Sequence, residues 1–170
     1  MKGAPGRIGR VGTGGGGVMR VKTDMHFAVA VDPAQVFDAV AAIELLPEWS
    51  LYSDARVASR DESGRPQRVY VTADTFLGRS DLQVLEYEWT ADRVSWQVVD
   101  SCNGLGGGGW FEVSREGADT KVWYHIEVHS SLLIPGLLLK RSVRRESETI
   151  VQNFIEFAVG FSAPPNSHAV

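Results

Sequence analysis

Asp81, Gln83, Leu85, Tyr87 and Trp89 fall at alternate positions, so an extended strand sets all five on one face. A carboxylate and an amide on an otherwise apolar face are groups that orient a bound molecule. With Asp74 nearby, a pair of carboxyls could do acid–base work. Alternatively the strand begins later and leaves Asp81 and Gln83 in solvent. Ser147 poses a similar choice. It falls where Val143 and Ile150 predict an apolar residue on one helix face. Either its hydroxyl returns to a carbonyl of its own helix, or that face looks into a cavity. Asp81, Tyr87, Tyr124 and Ser147 are therefore the candidate catalytic residues, and no spacing orders them into a nucleophile and its base.

Other constellations are weaker than they look. His125 and His129 share a strand face with Glu127, yet four residues of strand separate the two rings by roughly 13 Å. One zinc ion with bonds of about 2.1 Å cannot be held by both, and the alternation turns all three residues outward into solvent. Gly104 to Gly109 satisfies Gly-x-Gly-x-x-Gly on paper. A dinucleotide site needs a helix after that motif, whereas Trp110-Phe111-Glu112-Val113 reads as a strand. The glycines are expected to form a mobile connection with a bulge, and to admit close approach of a ligand at a cavity mouth. No metal and no cofactor is expected.

The sequence from Leu132 to Arg145 has a pattern of its own. Leu132, Leu133, Ile134, Leu137, Leu138 and Leu139 flank a Pro135-Gly136 turn, and Lys140, Arg141, Arg144 and Arg145 follow. Cations at a helix start oppose its dipole, and Arg141 repels Arg145 at i, i+4. Either the leucines pack under a sheet edge and the arginines pair with acids of the body, or the segment makes transient contact with an anionic membrane or ligand head group.

These residues need elements to position them. From Pro135 to Phe161 the apolar positions Val143, Ile150, Phe154, Phe157 and Phe161 recur at helical spacing, with Val151, Ile155 and Ala158 widening the stripe. Pro135 starts the helix, and Gly160 with Pro164-Pro165 stops it. At 1.5 Å per residue it spans roughly 40 Å. Met25 to Val31 alternates as a strand, Asp32-Pro33 caps a short helix, and Leu45 to Trp49 breaks and restarts it. Strands are then expected near 51–60, 67–76, 80–89, 93–100, 109–115 and 119–130, joined by local turns and so antiparallel. Pairing Trp89 with Val94, Tyr87 with Trp96 and Leu85 with Val98 sets one hairpin. Pairing Ser114 with Asp119 sets another, which puts Phe111 opposite Val122, Glu112 opposite Lys121 and Trp110 opposite Trp123. The concave face then carries Leu85, Tyr87, Trp89, Trp96, Val98, Phe111, Tyr124 and Ile126, beneath Val143, Ser147, Ile150, Val151 and Phe154 of the helix.

The chain has 170 residues, enough for one domain with a real core. Its 44% hydrophobic and 22% charged residues are ordinary for a globular protein. Five of the 17 basic residues lie in the first 22, where there is no acid, so residues 23–170 hold 12 basic against 21 acidic, a charge of −9. An acidic body argues against nucleic-acid binding. Cys102 stands alone, which fits a reducing cytoplasm. No run reaches the roughly 18 apolar residues of a membrane span, and the N-terminus has no apolar signal region. Residues 1–18 are expected to be a disordered glycine-rich tail, 19–162 a single domain, and 163–170 a flexible tail; translation starts at Met1 or Met19.

Val31-Asp32-Pro33-Ala34-Gln35-Val36-Phe37, Leu46-Pro47-Glu48-Trp49, Asp92-Arg93-Val94-Ser95-Trp96, Asp119-Thr120-Lys121-Val122-Trp123-Tyr124 and the terminal helix occur in a telling order. Together they resemble the START-like (SRPBCC) superfamily, especially its bacterial polyketide cyclase/dehydrase and lipid-transport branch, over about residues 23–161. The resemblance implies an α+β helix-grip fold of the START/Bet v 1 type: a curved seven-stranded antiparallel sheet around a long C-terminal helix, with two short helices after strand 1. It also implies an apolar cavity between sheet and helix. The ligand-binding residues expected there are the concave-face and helix residues named above. The leading expectation is a cytoplasmic carrier or sensor of a small hydrophobic molecule such as a lipid or polyketide, as a monomer or weak dimer. The alternatives are a metal-independent cyclase or dehydratase acting on a polyketide, and a protein-interaction module.

Overall fold

The computed structural model describes residues 17–74 and 78–162. The tails predicted at 1–18 and 163–170 lie outside these residues, apart from Gly17 and Val18. Strand β1 (Met19–Val29) leads into helix α1 (Pro33–Ala41) and a short 3-10 helix (Ile43–Glu48). Six strands follow: β2 (Tyr52–Arg60), β3 (Pro66–Asp74), β4 (Ser80–Trp89), β5 (Arg93–Ser101), β6 (Leu105–Glu116) and β7 (Asp119–Ser130). The chain closes with helix α2 (Gly136–Gly160). The seven strands form one antiparallel sheet in the order β1-β7-β6-β5-β4-β3-β2. This is the expected helix-grip arrangement.

Local chemistry explains the ends. The Asp32 carboxylate accepts from the Gln35 amide at 2.9 Å, and Pro33 occupies the first helical position of α1. The Gln35 side chain in turn donates to the carbonyls of Ala158 (2.9 Å) and Phe161 (3.1 Å), which serves otherwise unpaired groups at the end of α2. Leu139, Val143, Ser147, Val151, Phe154 and Ala158 are the buried residues of α2, one stripe at helical spacing. The stripe therefore centres on Ser147, while Ile150, Ile155, Phe157 and Phe161 pack at its margin. Beneath it Phe154 meets Trp49 at 4.8 Å and Phe111 at 5.0 Å between ring centroids, and Phe111 meets Tyr124 edge-on at 5.0 Å.

Several expectations need correction. β1 begins at Met19, because β7 is long enough to pair with all of it, Met19 opposite Ser130 through Val29 opposite Thr120. The second short helix is 3-10, as Pro47 within it forbids a regular α-helical turn. The glycine run is strand: Gly106 to Gly109 pair with β7. The β4–β5 register is as predicted, Tyr87 opposite Trp96. The β6–β7 register is shifted by two residues, since Glu116 pairs with Asp119 across a two-residue turn opened by Gly117 at φ 62°. A shift of two keeps every side chain on its predicted face. It exchanges partners, however. Glu112 pairs with Arg93 and Lys121 with Glu116, while Trp110 stacks on His125 at 3.9 Å and meets Trp123 edge-on at 5.9 Å. His125 is thus on the convex face as expected but not solvated. The Trp110 indole covers it, and its Nδ1 lies 2.7 Å from Asp24.

Candidate functional site

A cavity of about 190 Å³ lies between the concave face of the sheet and the N-terminal half of α2. The sheet brings Tyr87, Trp96, Val98, Phe111, Tyr124 and Ile126 to it, because β4 to β7 alternate and these residues share a parity. Helix α2 brings Leu139, Ser142, Val143, Glu146, Ser147 and Ile150. Leu46, Trp49 and Tyr52 close one side, from the 3-10 helix and the start of β2. Gly106, Gly107 and Gly108 form a wall of bare backbone. At Gly107 and Gly108 that wall can form only from glycine. A methyl group at Gly107 would collide with the Glu127 carbonyl, and one at Gly108 with the Trp96 carbonyl. The backbone at Gly107, φ 118°, is also closed to other residues.

Nine of the residues predicted to bind a ligand border this space: Tyr87, Trp96, Val98, Phe111, Tyr124 and Ile126 of the sheet, and Val143, Ser147 and Ile150 of α2. Leu85, Trp89, Val151 and Phe154 do not. They belong to the solid core beyond its end, where Trp89 donates its indole N–H to the Pro66 carbonyl at 2.7 Å and lies under the Arg65 guanidinium. Both expectations for Ser147 hold together. Its hydroxyl donates to the Val143 carbonyl at 2.7 Å, and the side chain still borders the cavity.

Asp81 is buried, as is Gln83, so β4 begins early enough to bring both onto the concave side. Yet Asp81 does not border the cavity. Its carboxylate is saturated by protein donors: Gln83 Nε2 at 2.7 Å, the Ser101 hydroxyl at 2.8 Å, the Asn103 amide at 3.0 Å and the Cys102 thiol at 3.3 Å. A buried carboxylate needs such donors. Here they join β4 to the β5–β6 turn, a structural task. Asp74 lines the rim of the cavity, hydrogen-bonded to Ser53 and Ser80 rather than paired with Asp81.

Burial opposes the ionisation of four groups that face the cavity. Burial pushes the Tyr52 hydroxyl up to about 12, aided by the Asp81 charge. Burial also raises Tyr87, with a smaller effect of Tyr52. Tyr124 is raised by burial and by Tyr52, against the opposing effect of the Ser147 hydroxyl beside it. All three tyrosines are therefore neutral hydrogen-bonding groups at any ordinary pH. Glu146 was not singled out by its sequence context. Burial raises its carboxyl above the ordinary value of 4.5, despite a hydrogen bond from Ser142 at 3.2 Å. The one signal that could have found it is its place one residue before Ser147 and four before Ile150, both on the cavity side. Tyr52 was likewise missed, as the first residue of a strand whose inner face could not be counted from a loop. Among the described residues, no three His, Cys, Asp or Glu side chains gather closely enough to hold a metal ion.

The architecture is shared with solved structures. A START superfamily protein from Mycobacterium smegmatis matches with a TM-score of 0.72 at 16% identity, over 82% of this chain and 96% of that one. A Thermus thermophilus protein matches at 0.68 and 18% identity, over 82% and 97% of the two chains. The Zhui aromatase/cyclase of a Streptomyces species matches at 0.62 and 8% identity, over 84% and 93%. No curated protein sequence matches the chain significantly. Residues 20–156 match the family described as polyketide cyclase / dehydrase and lipid transport, and that span takes in every strand and nearly all of α2. With its seven-stranded sheet gripping α2 over an apolar cavity, the chain belongs to the polyketide cyclase/dehydrase and lipid-transport family of the START-like superfamily.

Proposed function

We propose that the protein binds a small hydrophobic molecule in the cavity under α2 and carries or senses it. The observation that supports this is the lining itself. It is aromatic and aliphatic, and it includes three tyrosines, Tyr52, Tyr87 and Tyr124, whose hydroxyls stay neutral. An apolar space with a few convergent polar groups is the usual form of a small-molecule site. An engineered cavity of about 150 Å³ takes benzene. At about 190 Å³, this one suits a single ring or a short acyl segment, with the tyrosines offered to its oxygens. The carboxylate that would be the first choice as a base, Asp81, is held away by its own donors, which favours binding over turnover.

One observation favours a second reading. Glu146 borders the same cavity with a carboxyl that burial raises above its ordinary value, the kind of group that proton transfer uses. A cyclase or dehydratase would use it on a polyketide-like ligand, in keeping with the fold-level likeness to an aromatase/cyclase.

Titration of the protein with a fluorescent fatty acid tests the proposal. Ser147→Leu fills the cavity from the centre of the α2 stripe, and it is expected to abolish probe binding while moving the unfolding midpoint little. Phe154→Ala empties a packed site, and it is expected to cost roughly 3–5 kcal/mol of stability while the probe still binds at low temperature. Equal destabilisation by both substitutions, or full probe binding by Ser147→Leu, would sink the cavity reading.

A further inference from the structure

The leucines at the start of α2 do not pack under the sheet. Leu133 is 98% exposed, Leu137 66% and Leu138 57%, and Leu132 is also exposed. Only Leu139 of this run turns inward, against Val21 and Val143. Nor do the cations that follow pair with the acidic body. Arg144 reaches Glu148 at 3.3 Å on the exposed surface, while Lys140, Arg141 and Arg145 form no ion pair among the described residues. From Val128 to Arg145 the chain has four cations and no acid, on a body whose residues 23–170 carry −9. Local stability explains neither feature, because exposed leucines gain nothing from water and cations at a helix N-terminus oppose its dipole.

The two sets are arranged in tiers. Leu137, Arg141 and Arg144 follow one another at i, i+4 and i+7, and Leu138, Arg141 and Arg145 at i, i+3 and i+7, so leucines and cations share the outward face of α2. One helical turn, about 5.4 Å, separates the tiers. That separation matches an apolar tip set about 5–10 Å into the head-group boundary of a bilayer. The long arginine side chains then reach phosphates at the surface.

We infer that the Leu132–Arg145 segment is a docking surface for an anionic lipid bilayer, with Leu133, Leu137 and Leu138 inserted and Lys140, Arg141, Arg144 and Arg145 on the lipid phosphates. Charge selects this occupant. The cluster is attracted to an anionic surface while the acidic remainder of residues 23–170 is repelled, so within that span charge favours contact through this end. The same end of α2 carries the cavity residues Leu139, Ser142 and Val143. A docked molecule therefore holds the near end of its cavity within a turn or two of the bilayer. The inference rests on exposure and charge, and it stands whether or not the cavity binds the fatty-acid probe.

Sedimentation of the full chain with vesicles tests it. Vesicles of phosphatidylcholine containing phosphatidylglycerol are expected to pull the protein down, vesicles of phosphatidylcholine alone are not, and added salt weakens the binding. Arg141→Gln and Arg145→Gln should each weaken it about fivefold, the equivalent of about 1 kcal/mol per cation near an anionic surface. The double variant Leu133→Asp with Leu137→Asp should abolish it with an unchanged unfolding midpoint, since both side chains are already in water. Absence of binding to anionic vesicles, equal binding to both vesicle types, or unaltered binding by the arginine variants would overturn the inference. So would a concentration-dependent dimer that the leucine variant dissolves, because a second copy of the chain would then cover the patch.

Discussion

At Glu146, burial works against ionisation, so the folded chain keeps a proton to a higher pH than the unfolded chain does. The consequence for stability has a definite sign. Between the ordinary value of 4.5 and the raised folded value, the native state binds more protons than the unfolded one, and stability falls as pH rises. Above that window the loss is complete and constant. Glu146→Gln removes the ionisable group and retains an acceptor for the Ser142 hydroxyl. It is expected to unfold at a higher temperature than the parent protein near neutral pH, and at nearly the same temperature below pH 4.5. Thermal unfolding of both proteins across that range checks it. A parent protein that gains stability relative to the variant as pH rises would show that Glu146 is held charged by a partner. Asp81 makes the contrast. It is more deeply buried, yet the Gln83, Ser101 and Asn103 donors make it a fixture of the sheet.

Among the elements, β6 is the one whose character the residues concealed. Glycine has little strand preference, and a run of it reads as a loop. Gly106 to Gly109 nevertheless pair as strand, and at Gly107, Gly108 and Gly109 Trp96 and β7 press so close that no side chain fits. Gly107→Ala is accordingly expected to destabilise the protein by at least about 1–3 kcal/mol from backbone strain alone, before its collision with the Glu127 carbonyl is counted. A denaturant midpoint equal to that of the parent would show that the wall yields. Gly117 and Gly64, with open space around them, are not walls of this kind. Where side chains were present the elements were legible. Alternation gave the parity of every concave residue from Leu85 to Ile126, and Asp32-Pro33 gave the start of α1. Parity does not fix register, however. Two-residue and four-residue turns leave Phe111 and Tyr124 on the same face, so only the geometry at Gly117 chose between them. The cavity residues on α2 were legible where they broke a stripe, as Ser147 does. They were hidden where they continued a charged run, as Glu146 does beside Arg144 and Arg145.

For the whole molecule, the order of strands in the sheet sets the order of events in time. Sequence neighbours pair from β2 through to β7, each only a few residues further along the chain, but β1 pairs with β7 alone, Val29 opposite Thr120. The local hairpins can therefore zip in succession, while β1 must wait for the far end of the chain and for the closure of a long loop. Refolding in milliseconds to seconds is the expectation for so non-local a pairing. In pulsed hydrogen exchange the amides of β1 should gain protection after those of β4 and β5; protection of β1 first or together with them would refute that sequence. The N-terminal half of α2 waits as well, since Leu139 and Val143 rest on Val21 of β1. That half supplies one wall of the cavity. Until its two ends have met, a newly made chain has nowhere to hold a ligand, and the last contacts to form are the ones that create the site.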